Sequence, residues 1–180
     1  MTLVDVADSL PAEYGDLRYL GRGLLPSLDT ELYKHQWESL DVVLRQKKDL
    51  VVTTGTGSGK TECFLLPLMA QLAAESQHWP ACPPPLANQR WWENDQQEWQ
   101  AQWGHVQRPM ALRGLILYPL NALVEDQLRR LRQTLDSRDT HDWLDQTRGR
   151  NRITFGRYTS LTPLPGTMDV QRLRRLGQQL

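Results

Sequence analysis

The sequence predicts an α/β fold, a parallel sheet flanked by helices. Three observations predict it. Short runs of β-forming residues alternate with longer stretches of helical periodicity, an order that builds parallel sheets. A glycine-rich loop at 55–59 separates the first such run from a helix. Of 180 residues, 39% are apolar and 23% charged, enough apolar side chain to bury a core and too much for a disordered chain.

Residues 1–29 read as an N-terminal arm, irregular with one short helix, because Pro11, Gly15, Gly21, Gly23 and Pro26 punctuate them. Residues 30–180 read as one domain. Asp29 or Thr30 can cap a helix reaching Gln46, with Leu32, Trp37, Leu40, Val43 and Leu44 on one stripe. Residues 49–53 (DLVVT) predict a buried strand. A second helix starts near Lys60 and carries Phe64, Leu65, Leu68, Met69 and Leu72, and Pro67 should bend it. Residues 76–110 form a Trp/Pro-rich insertion holding five of the seven tryptophans, with Trp92, Trp99 and Trp103 on one helical face. Residues 114–118 (GLILY) predict a second buried strand. Asn121 can cap a third helix with Leu123, Val124, Leu128, Leu131 and Leu135 inward, and Glu125 and Asp126 can pair with Arg129 and Arg130 at i,i+4. Residues 153–158 (ITFGRY) predict a third strand, and 168–180 a fourth helix.

Charge and composition exclude several classes. Lys+Arg and Asp+Glu are 21 each, so no overall basic excess announces nucleic acid. The balance hides an asymmetry: from Arg148 to Arg175 seven arginines face one acid, Asp169, and an arginine cluster suits phosphate contact as readily as a solvated face. The longest apolar run, eight residues from Cys63 to Ala70, is too short for a membrane span, which needs about 20. MTLVDVADSL lacks the basic and then apolar pattern of a secretory leader, so secretion is not expected, and Cys63 and Cys82 cannot make a disulfide framework. A reduced, cytoplasmic domain without membrane contact is expected. The histidines at 35, 78, 105 and 141 are scattered, so no zinc is expected, and no G-x-S-x-G elbow occurs.

The segment TTGTGSGKT (53–61) carries the chemistry. Between a strand and a helix, it has the context of a P-loop. Glycines let main-chain N–H groups converge on phosphate oxygens, and the helix N-terminus adds unpaired donors and a positive dipole end. Lys60 supplies a charge for the β- and γ-phosphates, and the Thr61 hydroxyl can ligate Mg²⁺. Thr54 stands where the usual G-x-x-x-x-G-K-[ST] pattern has glycine.

TGTGSGKTE (54–62) resembles motif I of superfamily 2 DEAD/DEAH-box-like helicases and translocases. LYKHQ (32–36) is similar to their Q motif, whose glutamine reads the adenine edge. YPLNALVEDQ (118–127) resembles motif Ia, which touches the nucleic-acid backbone. FGRYTSLTP (155–163), with Ser160 in place of a family glycine, is similar to a segment of large bacterial phage-defence helicases of Druantia and DISARM type and of related repair helicases. The resemblance implies a P-loop NTPase with a partial RecA-like sheet. It implies ATP and Mg²⁺ as cofactors, with Gln36, Thr54, Gly55, Thr56, Gly57, Ser58, Gly59, Lys60, Thr61 and Glu62 on ATP. Lys60 and Thr61 are the catalytic pair, and Thr61 is the Mg²⁺ ligand. It implies nucleic-acid contacts, to DNA in the first instance, from Pro119, Asn121, Arg157, Thr159 and Thr162.

The implied function is an ATP-driven helicase or translocase. DNA against RNA, and unwinding against translocation, stay open. The sequence holds no Asp-Glu box. The chain is therefore expected to be the N-terminal part of a first RecA-like domain, partnered by a missing C-terminal part, and inactive and prone to aggregate by itself. The alternative is a fragment that binds nucleotide or nucleic acid without catalysis. A small-molecule kinase would want an acceptor-binding lid and leaves YPLNALVEDQ and FGRYTSLTP unexplained. The tryptophans could stack on bases or pack against their own domain.

Overall fold

The computed structural model describes residues 1–27, 29–55, 57–83 and 104–159. Thr56, Ser160, Thr162, the tryptophans at 91, 92, 99 and 103, the arginines at 172, 174 and 175 and the expected helix at 168–180 lie outside them.

The N-terminal residues are more ordered than their glycines and prolines suggest. Helix α1 (Leu3–Ser9) opens on a capping box: Thr2 N–H donates to the Asp5 carboxylate at 2.8 Å, and Asp5 N–H donates back to Thr2 Oγ1 at 3.3 Å. The Thr2 N–H bond foremost, and the Thr2 hydroxyl, which also donates to the carboxylate at 2.8 Å, hold the Asp5 carboxyl below its usual range. A 3₁₀ turn (Ala12–Tyr14), α2 (Leu17–Leu20) and a second 3₁₀ turn (Arg22–Leu24) follow. Leu3, Val6, Ala7, Leu10, Leu17 and Leu20 are buried in the main core. The irregular arm is thus corrected to a helical one that forms one wall of the core. The reason is legible afterwards: Leu3, Val6, Ala7 and Leu10 recur at i, i+3, i+4 and i+7, a helical stripe.

Helix α3 (Lys34–Leu40) begins four residues after Thr30 and passes into a π-helical turn, Asp41–Arg45. Its start is set by Gln36, whose side-chain oxygen accepts from Tyr33 N–H at 2.9 Å. Helix α4 (Lys60–Ser76) runs unbroken through Pro67 and is the central element. Its Leu65, Leu66, Met69, Ala70 and Ala73 are buried in the main core, where α4 packs on α2, α3 and the short N-terminal turns.

Helix α5 (Asn121–Leu135) packs on the Arg22–Leu24 turn, and α6 (Arg138–Thr147) folds back on it. Leu120, not Asn121, occupies the cap position of α5, and no side chain caps it. Helix α6 was not anticipated. Its signal was Ser137, which accepts from Thr140 N–H at 3.3 Å, ahead of Trp143 and Leu144.

The expected strands are corrected. Among the described residues no strand forms at 49–53, 114–118 or 153–158, and the one β-bridge joins Thr2 to Glu31. Val51 is 87% exposed, Leu115 71% and Leu117 81%, so the first two segments are not buried strands. A strand is made by ladder bonds from neighbours; β-forming composition marks a segment for a sheet but cannot supply its partners. Some of the pattern survives at 114–118: Gly114 lies against Leu68, Ile116 packs on the core, and the leucines between face out.

Of the described arginines of the cluster, Arg148 and Arg152 are spent on the fold. Arg148 pairs with Asp16, donates to Ser76 Oγ at 2.8 Å and lies over the Trp143 ring. Arg152 pairs with Asp145 at 2.6 Å. Trp79, the described tryptophan of the insertion, donates to Glu75 at 3.1 Å and packs against the core.

Candidate nucleotide-binding site

The glycine loop is built by left-handed backbone at two positions. Gly57 has φ 75° and Gly59 has φ 74°, a region that L side chains rarely enter. Gly59 is the residue from which α4 starts. The four first N–H groups of a helix have no intrahelical partner, so the loop delivers free donors and a positive dipole end to one place. Ser58 Oγ donates to Gly55 O at 2.8 Å and meets Thr54 Oγ1 at 2.7 Å. Those bonds stiffen the turn from within.

Two residues of α3 clamp the loop from outside. Gln36 Nε2 donates to Gly59 O at 3.0 Å. His35 Nε2 lies 2.7 Å from Ser58 O. Gln36 was expected here from its motif. His35 was not, although it sits beside Gln36 in the same short segment and its role is purely geometric. Cys63 Sγ reaches Gly59 O and His35 O at 3.8 Å. Burial pushes its thiol above the ordinary range.

Lys60 Nζ donates to Thr54 O at 2.8 Å and to Gly55 O. An ammonium on two main-chain carbonyls is already inside the loop, and phosphate oxygens would be stronger acceptors for the same protons. The Thr61 hydroxyl makes no hydrogen bond among the described residues. Glu62 is different. Its side chain is 9% exposed, and Arg130 Nη1 of α5 donates to it at 2.6 Å. The Arg130–Glu62 pair escaped the sequence, where only the i,i+4 partner of Arg130, Asp126, was readable. That pair also forms, at 3.4 Å.

The donor set fits a phosphate chain. A Cβ on Gly59 would stand 2.4 Å from Gln36 Nε2, so at this position of the cradle the amide occupies the space a side chain would take. The DEAD/DEAH box helicase family model matches residues 33–160. The chain belongs to the DEAD/DEAH box helicase family. This helicase segment is also similar to Druantia protein DruE of Escherichia coli (strain UMEA 4076-1), at 36% identity over 141 residues, which is 78% of this chain and 6% of that protein. It thus spans a small fraction of the curated relative it matches. No solved structure matches it. Membership brings the P-loop NTPase, RecA-like fold and ATP as the family's nucleotide. No helix among the described residues is long and apolar enough to cross a membrane.

The second set of expected site residues lies along α5. Pro119 and Asn121 are exposed at its start. Arg157 forms an ion pair with Glu125 rather than leaving that carboxylate to Arg129. The fold therefore brings FGRY and the first turns of α5 together. Thr159 is half-buried.

Proposed function

We propose that the chain is the ATP-binding segment of a nucleic-acid helicase or translocase that acts on DNA in phage defence. The observation that carries this is the Gln36–Gly59 hydrogen bond, which ties a base-reading amide to a phosphate loop. Gln36 spends one N–H on Gly59 and one oxygen lone pair on Tyr33. One N–H and one lone pair remain, the complement of an adenine edge. Tyr33, 60% exposed and stacked on His35 with centroids 5.6 Å apart, offers a ring face to the base.

Gly57, Ser58, Gly59 and Lys60 would hold the phosphates through main-chain N–H groups, with Thr54, Gly55 and Thr56 also proposed to lie on ATP. Lys60 would exchange its two carbonyl partners for phosphate oxygens. Thr61 would hold Mg²⁺ through its hydroxyl. ATP, when bound, supplies a phosphoryl group whose transfer to water drives the cycle. Asn121, with its side chain unused as a cap, and Pro119, Arg157, Thr159 and Thr162 are proposed to meet the nucleic-acid backbone. The defence role is supported by the likeness to Druantia protein DruE.

Titration with a fluorescent ATP analogue tests the site. Saturable binding is expected, with Lys60→Ala weakening it about tenfold or more, the worth of one charge-assisted bond. ATP should compete better than GTP, and Gln36→Ala should erase that preference. Absence of saturable binding overturns the reading. A second reading, binding without turnover, is favoured for the 180-residue chain because its sequence holds no Asp-Glu box. Phosphate release by this chain, abolished in Lys60→Ala, would refute it.

A further inference from the structure

We propose that the Glu62–Arg130 ion pair is the link through which the phosphate loop positions α5, so that nucleotide occupancy is felt at the proposed nucleic-acid surface. This rests on the nucleotide-site reading above. One carboxylate touches both sides. Glu62 Oε1 accepts from Arg130 at 2.6 Å. Its other oxygen, Oε2, lies 3.1 Å from where a Cβ on Gly59 would stand, so it rests against the left-handed glycine of the loop.

The pair ties the first turn of α4 directly to α5. Helix α5 packs on the Arg22–Leu24 turn and on α6, and its extensive contacts do not include α4. A buried carboxylate holds its partner firmly, because losing that partner strands a charge away from water. Arg130 also reaches Asp126, one turn back, at 3.4 Å. Glu125, beside Asp126, holds Arg157. Two motif segments therefore meet successive turns of α5, Glu62 at Arg130 and Arg157 at Glu125. Lys60 and Thr61 immediately precede Glu62. When Lys60 leaves the Thr54 and Gly55 carbonyls for a phosphate, the first turn of α4 must adjust, and Glu62 carries that adjustment to Arg130. Both are positioning residues: neither needs to touch nucleotide or nucleic acid for the link to work.

Backbone amide exchange of the chain, with and without a non-hydrolysable ATP analogue, tests this. In the wild type the analogue should slow exchange at 54–61 and also change it at 121–130, by about fivefold or more, the low end of typical site-to-site coupling. In Arg130→Gln and Arg130→Met the analogue should still protect 54–61, while the change at 121–130 disappears. Arg130→Lys, which keeps the charge, should retain part of it. Unchanged protection of 65–73 without nucleotide shows that the variants are folded. The inference is overturned if the change at 121–130 survives in both variants, or if the wild type protects 54–61 with no change at 121–130. Failure of the wild type to bind the analogue overturns the nucleotide-site reading, and the inference with it.

Discussion

Gln36 Nε2 sits 3.0 Å from the Gly59 carbonyl oxygen, and only 2.4 Å from where a Cβ on Gly59 would be. The bond and the missing side chain are one arrangement. The amide can reach the carbonyl because nothing stands on Gly59, and Gly59 holds φ 74° because nothing stands there. Gly59→Ala is therefore expected to cost about 1–2 kcal/mol from left-handed backbone alone, and to expel the Gln36 amide. Thermal unfolding and analogue titration together check it: lower stability and lost adenine preference are expected in the same variant. Gly57→Ala meets no atom within 4 Å, so it should show the backbone cost without the loss of preference.

Gly23 shows a different need for glycine. Its backbone runs so close to α5 that a Cβ would lie 2.6 Å from Gln133 O and Thr134 Cα. Both are backbone atoms and cannot step aside. Gly23→Ala should push the N-terminal residues off α5 and destabilise the chain by about 1–3 kcal/mol, the usual cost of overpacking. A shift of the urea midpoint with an unchanged slope is the expected reading.

These two glycines mark what the sequence could and could not tell. Gly59 was legible because its role is local: a loop, a helix start and a lysine follow one another in the chain. Gly23 read only as a turn signal, since the α5 backbone that it approaches lies 110 residues away in sequence. The same division runs through the site. Lys60 stands out in its glycine loop and Gln36 through the resemblance of LYKHQ to a Q motif, whereas Arg130 on Glu62 and Arg157 on Glu125 are long-range pairings that charge patterning within a helix does not contain. The expected strands are not formed among the described residues for the converse reason. DLVVT and GLILY carry the composition of strands, but composition is a property of the segment and pairing is a property of its neighbours.

The Arg113–Glu75 contact predicts an acid limb of stability. Arg113 donates to Glu75 through Nε at 3.1 and 3.0 Å and through Nη2 at 2.7 Å. The Arg113 hydrogen bonds, chiefly, hold the Glu75 carboxyl below its ordinary 4.5, with a smaller contribution from Trp79. A carboxylate with a lowered folded-state pKa stabilises fully above its unfolded value, and that contribution drains away as pH falls below 4.5 through the folded value. Glu75→Gln should melt below the wild type at neutral pH, and the two melting curves should converge as the pH drops through that window. A gap that stays constant at low pH would mean that packing, not charge, is what Glu75 provides.

Leu115 and Leu117 give the expectation that separates this chain from a longer one. Both are exposed, beside Ile116, which is packed on the core. Water-exposed leucines on a β-forming segment favour association with other chains. Leu115→Lys with Leu117→Lys should therefore leave the helical signal and melting temperature of the 180-residue chain nearly unchanged, and reduce its light scattering and its binding of an apolar dye. In a longer chain, where the RecA-like fold of the family would enclose 114–118 between sheet neighbours, the same two lysines would be buried without partners. There they should abolish folding, because an unpaired charge cannot be taken out of water at tolerable cost. The substitution pair thus reads out, by opposite signs in the two chains, whether GLILY is a strand awaiting its ladder. Equal tolerance in both would place this segment outside the sheet.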